Sequence, residues 1–364
     1  MLASFSLLKG VPRARFYLFF ILALNLFAMS GCGLLKPSRK VEVSPLLTPL
    51  EQADTAALLA EINRMAAVNS LRGKIDIQFQ DTSFAESGIA EKYRLADGSV
   101  TVQRPGQIYL VVQAPLVGTK IAEMTSDGVH FRVAVLQGDE RIRRFARGTN
   151  DAVYPPLEMD GAGKRGGRGD GKNRKALSEQ QTANVFSNLR PQHLTDALLI
   201  APVKARPDLL YARSEFYAEE PDIRPRAKRG ARIVRGYYFL DELTPSASGQ
   251  ARLLRRFWFD RVGRIRLARL QTFDQTGALL ADASYGETKE LKAEGGAPVL
   301  LPVRVEVTRP QDHYKLSVAY QVPEDVVVNG TYPPEIFVLA NKTQLPEIDL
   351  DERAKQQQRT TGKP

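Results

Sequence analysis

The chain has one cysteine, one tryptophan and three histidines in 364 residues, and each scarcity closes off a class of chemistry. A single cysteine, Cys32, cannot form a disulfide within the chain, so stability has to come from packing. His130, His193 and His313 stand apart, with neither the paired-histidine helical spacing nor the Cys/His clusters of a metal site. No metal and no cofactor is expected. The nucleophile-elbow pattern Gly-x-Ser-x-Gly does not occur, and Ser284-Tyr285-Gly286 with its neighbours does not form one. The carboxylate pairs Glu219-Glu220 and Asp241-Glu242 sit among charged neighbours, where solvation accounts for them. The sequence therefore reads as a non-enzyme. Long hydrophobic runs are scarce as well. The stretch from Phe16 to Met29 falls short of the roughly 20 apolar residues that span a bilayer.

That short run is nevertheless the most informative stretch. Lys9, Arg13 and Arg15 precede it, and Ser30-Gly31-Cys32 follows. A basic start, an apolar middle and small residues at the cut describe an export signal. Met29-Ser30-Gly31-Cys32 resembles the lipobox of bacterial lipoproteins, with Met29 where that family usually has leucine. The resemblance implies that residues 1–31 are a signal peptide and that Cys32 becomes an acylated (palmitate-bearing) first residue. Several chains, each burying CH₂ groups at about 0.8 kcal/mol apiece, hold far better than one. Gly33 is not the aspartate that retains such proteins in the inner membrane of well-studied Gram-negative bacteria. The implied address is the outer membrane, facing the periplasm. The alternatives are an unlipidated signal with a chance cysteine, or an uncleaved anchor.

The apolar and charged fractions, 43% and 25%, are those of a globular protein, and roughly 300 residues past the signal suffice for a real core. The formal charge of +10 drops to about +7 without Lys9, Arg13 and Arg15, which points to anionic head groups or an acidic partner rather than nucleic acid. A plain excess of solvated arginines is the other reading. Residues 32–50, with Pro37, Pro45 and Pro49, read as the lipidated start and an extended tether.

From Glu51 to Val68 apolar residues recur at helical spacing (Ala57, Leu58, Ile62, Met65, Ala66). The period then becomes two: Leu71, Ile75, Ile77 and Phe79 alternate with polar residues. Further strands are predicted near 89–103, 107–114, 119–126, 129–136 and 140–146, punctuated by Asp97-Gly98, Pro105-Gly106 and Asp127-Gly128. This is an antiparallel meander. A basic, Gly-rich insertion at about 158–176 interrupts it. Its Gly166–Asn173 stretch superficially fits a phosphate-loop spacing, but Asn173 stands where Ser or Thr would hold magnesium. Short helices are predicted over 178–188 and 191–199, then strands at 208–218, 232–241, 252–260, 263–273, 278–287, 299–308 and 313–321. Residues 346–364 read as a polar, unstructured tail, leaving 51–345 as the folded domain.

A helix, a long meander, a helical interruption and more meander resemble the Lol family, the lipoprotein carrier LolA and receptor LolB. The local pieces that carry this are Arg104-Pro105-Gly106 before an apolar strand, Ser126-Asp127-Gly128 with Phe131 after it, Phe257-Trp258-Phe259-Asp260 with Gly263 and Arg269, and Leu301-Pro302. The resemblance covers roughly residues 51–340. It implies a mainly β (α+β) fold, an open antiparallel half-barrel of about eleven strands with covering helices and an apolar concave side for acyl chains. Candidate cavity residues are Leu110, Phe131, Trp258 and Leu270. Arg104 is expected to brace the structure by hydrogen bonds rather than touch ligand. The function implied is a membrane-anchored carrier or receptor binding acylated protein or lipid. The alternative is a structural lipoprotein that binds envelope proteins, its sheet filled by its own side chains.

Overall fold

The computed structural model describes residues 43–361 except 83–90, 93–95, 116, 139, 141–142, 153, 155–189, 205 and 246–248. The signal, Cys32, the insertion at about 158–176 and the helix predicted over 178–188 lie outside the described residues. The segment from Leu46 to Pro364 is one compact unit, and every described core residue lies at or after Leu47.

Helix α1 (Thr55–Ala66) opens this unit, with the Asp54 side chain accepting from the Ala57 N–H at 2.8 Å. That contact satisfies one of the donors a helix start leaves free. Leu58, Ile62 and Met65 form its buried stripe. The strands follow: β1 (Ser70–Asp81), β2 (Glu91–Lys92), β3 (Ala96–Gln103), β4 (Gln107–Gln113), β5 (Lys120–Asp127), β6 (His130–Val135) and β7 (Arg144–Thr149). Helix α2 (Pro191–Leu198) leads to β8 (Leu210–Pro221), β9 (Arg232–Pro245), β10 (Ala251–Asp260), β11 (Arg266–Phe273), β12 (Leu279–Leu291), β13 (Val299–Arg309) and β14 (Tyr314–Tyr320). The chain closes with β15 (Val327–Val328), β16 (Glu347–Asp349) and helix α3 (Leu350–Thr361).

All strands belong to one sheet, ordered β16-β7-β6-β5-β4-β3-β1-β14-β13-β12-β11-β10-β9-β8, with β2 and β15 pairing β1 off that path. Strand β1 is the hinge of the topology. Its Ile75 lies opposite Gly98 of β3 on one side and Tyr320 of β14 on the other. From it the meander walks outward to β7, and after α2 a second meander walks inward from the far edge at β8. Every pair is antiparallel except β16 with β7, which is parallel. Among the described residues β8 and β16 do not pair, so the sheet is open. Among the described residues it holds sixteen strands, more than the eleven expected from the resemblance, partly because β2, β15 and β16 are two- and three-residue pieces without any periodicity to announce them.

The sheet curls around the helices. Helix α2 packs against β4 and β5 on one side and β13 on the other. In a flat sheet β4 and β13 would stand about 19 Å apart, whereas eight helical residues span only about 12 Å. Two expectations are corrected at the ends of the chain. Leu46 and Leu50, assigned to the tether, bridge Val234 and Val262, and Leu47 is buried. The polar tail forms β16 and α3, held by Leu350 in the core and by Asp351, which accepts from the Tyr154 hydroxyl and from Thr149 Oγ1.

Candidate functional site

The inner face of the sheet is apolar across nearly its whole width, because alternate residues of each strand point the same way. One core cluster runs over β1, β3–β6 and β14 and includes Leu110 and Phe131; a second covers β9–β13 and includes Leu270. Val303 belongs to the first and Val305 to the second, so the two adjoin along β13. What covers them is thin: Leu58, Ile62 and Met65 of α1, and Leu194, Ala197, Leu199, Ile200 and Val203 at and after α2.

The two covering segments are tied to each other and to the sheet by a few polar contacts. Arg104, in the β3–β4 turn, donates from Nε to the Val68 carbonyl at 3.0 Å and from Nη2 to the carbonyls of Ala66 at 3.3 Å and Ile200 at 2.7 Å. It thus grips the end of α1 and the segment after α2 with one side chain, placing a cation where a helix C-terminus favours one. Burial lowers the pKa of this guanidinium, which has no carboxylate beside it. Asn63 of α1 accepts from the Val203 N–H at 2.9 Å. Between cover and sheet floor, bounded by Met65, Leu71, Leu198, Ile200, Leu301 and Tyr320, remains a void of about 10 Å³. That holds at most one water. The Tyr320 hydroxyl is buried without a hydrogen-bond partner.

The turn motifs named from the sequence meet in space. Gly106 and Gly128 both have positive φ, and a side chain on Gly128 would stand 2.7 Å from the Pro105 carbonyl oxygen. Glycine is what lets the two turns touch. Asp127 accepts from the backbone N–H groups of Val129 and His130 and from Arg132. Burial works against its charge, but these donors outweigh it and hold the carboxyl below the usual range.

The four cavity candidates do not converge. Leu110 and Phe131 are buried in the first cluster and Leu270 in the second, opposite Phe257. Trp258 points to the outer face, since strand alternation sends it opposite to Phe257 and Phe259. There it donates from Nε1 to Gln271 at 2.9 Å, lies under the Arg269 guanidinium and packs on Phe216, Tyr237 and Phe239. The outer face is an ion-paired surface, with Arg269 bound to Asp282 and Lys315 to Glu306.

No sequence pattern announces the polar cluster on α2. Arg190 stands at the N-cap position without a side-chain cap bond and instead spreads its guanidinium over the rings of Phe131 and Tyr154, 5.4 and 4.5 Å from their centroids. His193 Nδ1 lies 2.7 Å from the Tyr314 hydroxyl and its ring stacks on that tyrosine. Burial first, then the charges of Arg309 and Arg190, push its pKa well down, so the ring stays neutral. Asp196 is an exposed residue whose carboxyl is nevertheless crowded by its surroundings. Desolvation raises its pKa to about 6, opposed by Arg309 and helped by Asp151. The only signal for this cluster was a lone histidine beside a helix start, which alone specifies nothing.

Among the described residues no three His, Cys, Asp or Glu side chains converge as a metal site, and no helix is long and apolar enough to cross a membrane. No family model matches the sequence, and no curated protein does. Solved structures similar to this one include a LolA superfamily protein from Nitrosomonas europaea, at 12% identity and TM-score 0.35 over 79% of this chain and 99% of that one. A DUF1329 family protein from Desulfovibrio piger gives 11% and 0.35 over 79% and 96%. A domain named for outer membrane lipoprotein sorting, from Vibrio parahaemolyticus, gives 11% and 0.36 over 79% and 97%. Likeness at this level leaves the functional reading to the residues of the chain itself.

Proposed function

We propose that the chain is a lipid-anchored envelope protein, held by acylated Cys32 at the periplasmic face of the outer membrane, that takes up acyl chains of lipids or lipoproteins on the inner face of its sheet. The observation that carries this reading is the cover. A continuous apolar face is closed by two short helical segments whose ends share one polar clasp, Arg104. A void of about 10 Å³ is far below the roughly 300–1,000 Å³ of ligand pockets, so the cover has to move for a ligand to enter. An acyl chain entering as α1 or α2 swings out replaces one apolar contact with another. Each Å² it buries is worth about 25 cal/mol, and the fold supplies no chemistry. Direction then follows from the relative affinities of donor and acceptor.

A second reading, a partner-binding lipoprotein of an envelope assembly, draws on the same small void and on β8. Among the described residues that edge strand pairs only with β9, and it exposes Leu210, Phe216 and Tyr217, so an extended segment of another protein could add to it. Titration of the Leu46–Pro364 unit with a fluorescent fatty acid, beside native mass spectrometry of the protein as purified, separates the two. Saturable binding near one per chain supports the carrier reading. An apo mass with no probe bound by the wild type or by Arg104→Ala overturns it in favour of the partner-binding one.

A further inference from the structure

Between β8 and β9 the chain reads Asp222-Ile223-Arg224-Pro225-Arg226-Ala227-Lys228-Arg229-Gly230-Ala231, and Arg232 opens the next strand. Two of the five cations are spoken for: Arg224 pairs with Asp222 at 2.8 Å and Arg232 with Glu219 at 2.8 Å. Arg226, Lys228 and Arg229 are exposed, and none of their side chains has a hydrogen-bond or ion-pair partner among the described residues. Beside them Ile223 is 87% exposed, more than any other large hydrophobic side chain described. At Gly230 the loop faces open space, since a Cβ placed there would touch nothing within 4 Å.

Its position matters as much as its composition. The chain joins the sheet beside the first residues of β9: Leu46 bridges Val234, and the Leu47 N–H donates to the Val234 carbonyl at 2.9 Å. Leu50 bridges Val262 in the β10–β11 turn, whose Arg264 is also exposed. Cys32 precedes Leu46 by fourteen residues, with Lys36, Arg39 and Lys40 between them. A chain of that length reaches at most about 50 Å, and the β8–β9 loop lies where it meets the domain.

We propose that the β8–β9 loop is a membrane-docking element, in which Arg226, Lys228 and Arg229 bind anionic phospholipid head groups and Ile223 enters the interface. It orients the domain on the bilayer that carries the anchor. Unpaired cations within a Debye length of an anionic surface, about 8–10 Å, are drawn to it, and an apolar tip ringed by cations suits the head-group boundary. An acidic protein is the poorer fit. A stable protein interface needs about 800 Å² from each partner, and a narrow exposed loop offers a point rather than a face. The proposal rests on the lipid-anchor reading for which membrane is met, but the loop's affinity can be measured without the anchor.

The Leu46–Pro364 unit, which contains the whole described core and no cysteine, is sedimented with vesicles of phosphatidylcholine with and without phosphatidylglycerol. Binding is expected only with the anionic lipid and weakens with added salt. Arg226→Ser/Lys228→Ser/Arg229→Ser should lower it at least about tenfold, while leaving fatty-acid binding unchanged, which separates this proposal from the carrier reading. Arg143→Ser/Lys204→Ser/Lys342→Ser removes the same charge from exposed sites elsewhere and should change binding less than about twofold. A polarity-sensitive label on Ile223→Cys should shift to the blue on anionic vesicles. The same label on Val117→Cys, in the β4–β5 turn at the opposite end of the sheet, should not. Equal loss in both triple variants, or an unshifted Ile223→Cys label on bound protein, overturns the proposal. So does wild-type binding no stronger to anionic than to neutral vesicles, which would leave the loop to an acidic protein.

Discussion

Arg104 shows how much one side chain can hold. Its three carbonyl partners come from two segments that no strand pairing connects, the end of α1 and the stretch after α2. Removing it leaves those carbonyls to find water and loosens both segments together. One hydrogen bond from a charged donor contributes about 1.5–3 kcal/mol, and because Arg104 is only half-buried and water replaces part of each bond, Arg104→Ala should lower the unfolding free energy by about that much. If the cover is a clasp, the same variant should bind a fluorescent fatty acid more tightly, because a protein whose open state is rare binds with an affinity reduced by that rarity. A stability loss with weaker or unchanged probe binding would make Arg104 a brace and nothing more. The chemistry of this residue was only partly legible. Arg104-Pro105-Gly106 announced a turn, and Gly106 against Gly128 explains why glycine stands there. What the guanidinium holds could not be read, because Ala66, Val68 and Ile200 offer backbone oxygens, which any sequence has.

At the scale of elements, α2 carries two groups with opposite pH behaviour on one helix. His193 is kept neutral by burial, so its folded pKa lies below the unfolded one. Its contribution is present above the ordinary histidine value of about 6.5 and is lost as pH falls below it. Asp196 is raised to about 6. Its contribution is fullest below the ordinary aspartate value of about 3.9 and is lost as pH rises through about 6. The two slopes oppose each other between pH 4 and 6. Denaturation midpoints across that range should therefore fall more steeply on acidification in Asp196→Asn than in the wild type, and less steeply in His193→Gln. Parallel curves for all three chains would mean that neither group feels the fold. The strands were readable because each buries one face. Val303, Val305 and Val307 point inward and Arg304 and Glu306 do not. Reading stopped where that rule is suspended. Phe257-Trp258-Phe259 is aromatic throughout, so its outward member looked like part of the interior, although Arg269 opposite Trp258 and Leu270 opposite Phe257 held the parity. Helix α3 was invisible for the converse reason: it is polar nearly all round, and Leu350 at its start, with Asp351 and the Tyr154 hydroxyl, holds it down.

At the scale of the molecule, the topology makes β1 the seam on which both meanders depend. The outward walk β3–β7 and the inward walk β8–β14 are each continuous in sequence, and among the described residues they meet within the sheet only across β1. The helices join them a second time, since α1 packs in the cluster over β9–β13 while α2 contributes to both clusters. Neither walk can keep its inner face covered if the other leaves, so the sheet should unfold as one cooperative body despite its size. The chain supplies its own reporter for one side, because its only tryptophan, Trp258, lies on β10. Hydrogen exchange of the β5 and β6 amides reports on the other. The two denaturation midpoints should coincide. Ile75→Ala, at a fully buried position facing both neighbours, should lower both together by about 2–5 kcal/mol of unfolding free energy. If Trp258 keeps its native fluorescence after the β5–β6 amides have exchanged, β1 is a boundary rather than a seam. The acyl-binding reading would then need a different route of opening, one in which half the sheet departs from its neighbour instead of a helical cover lifting from an intact floor.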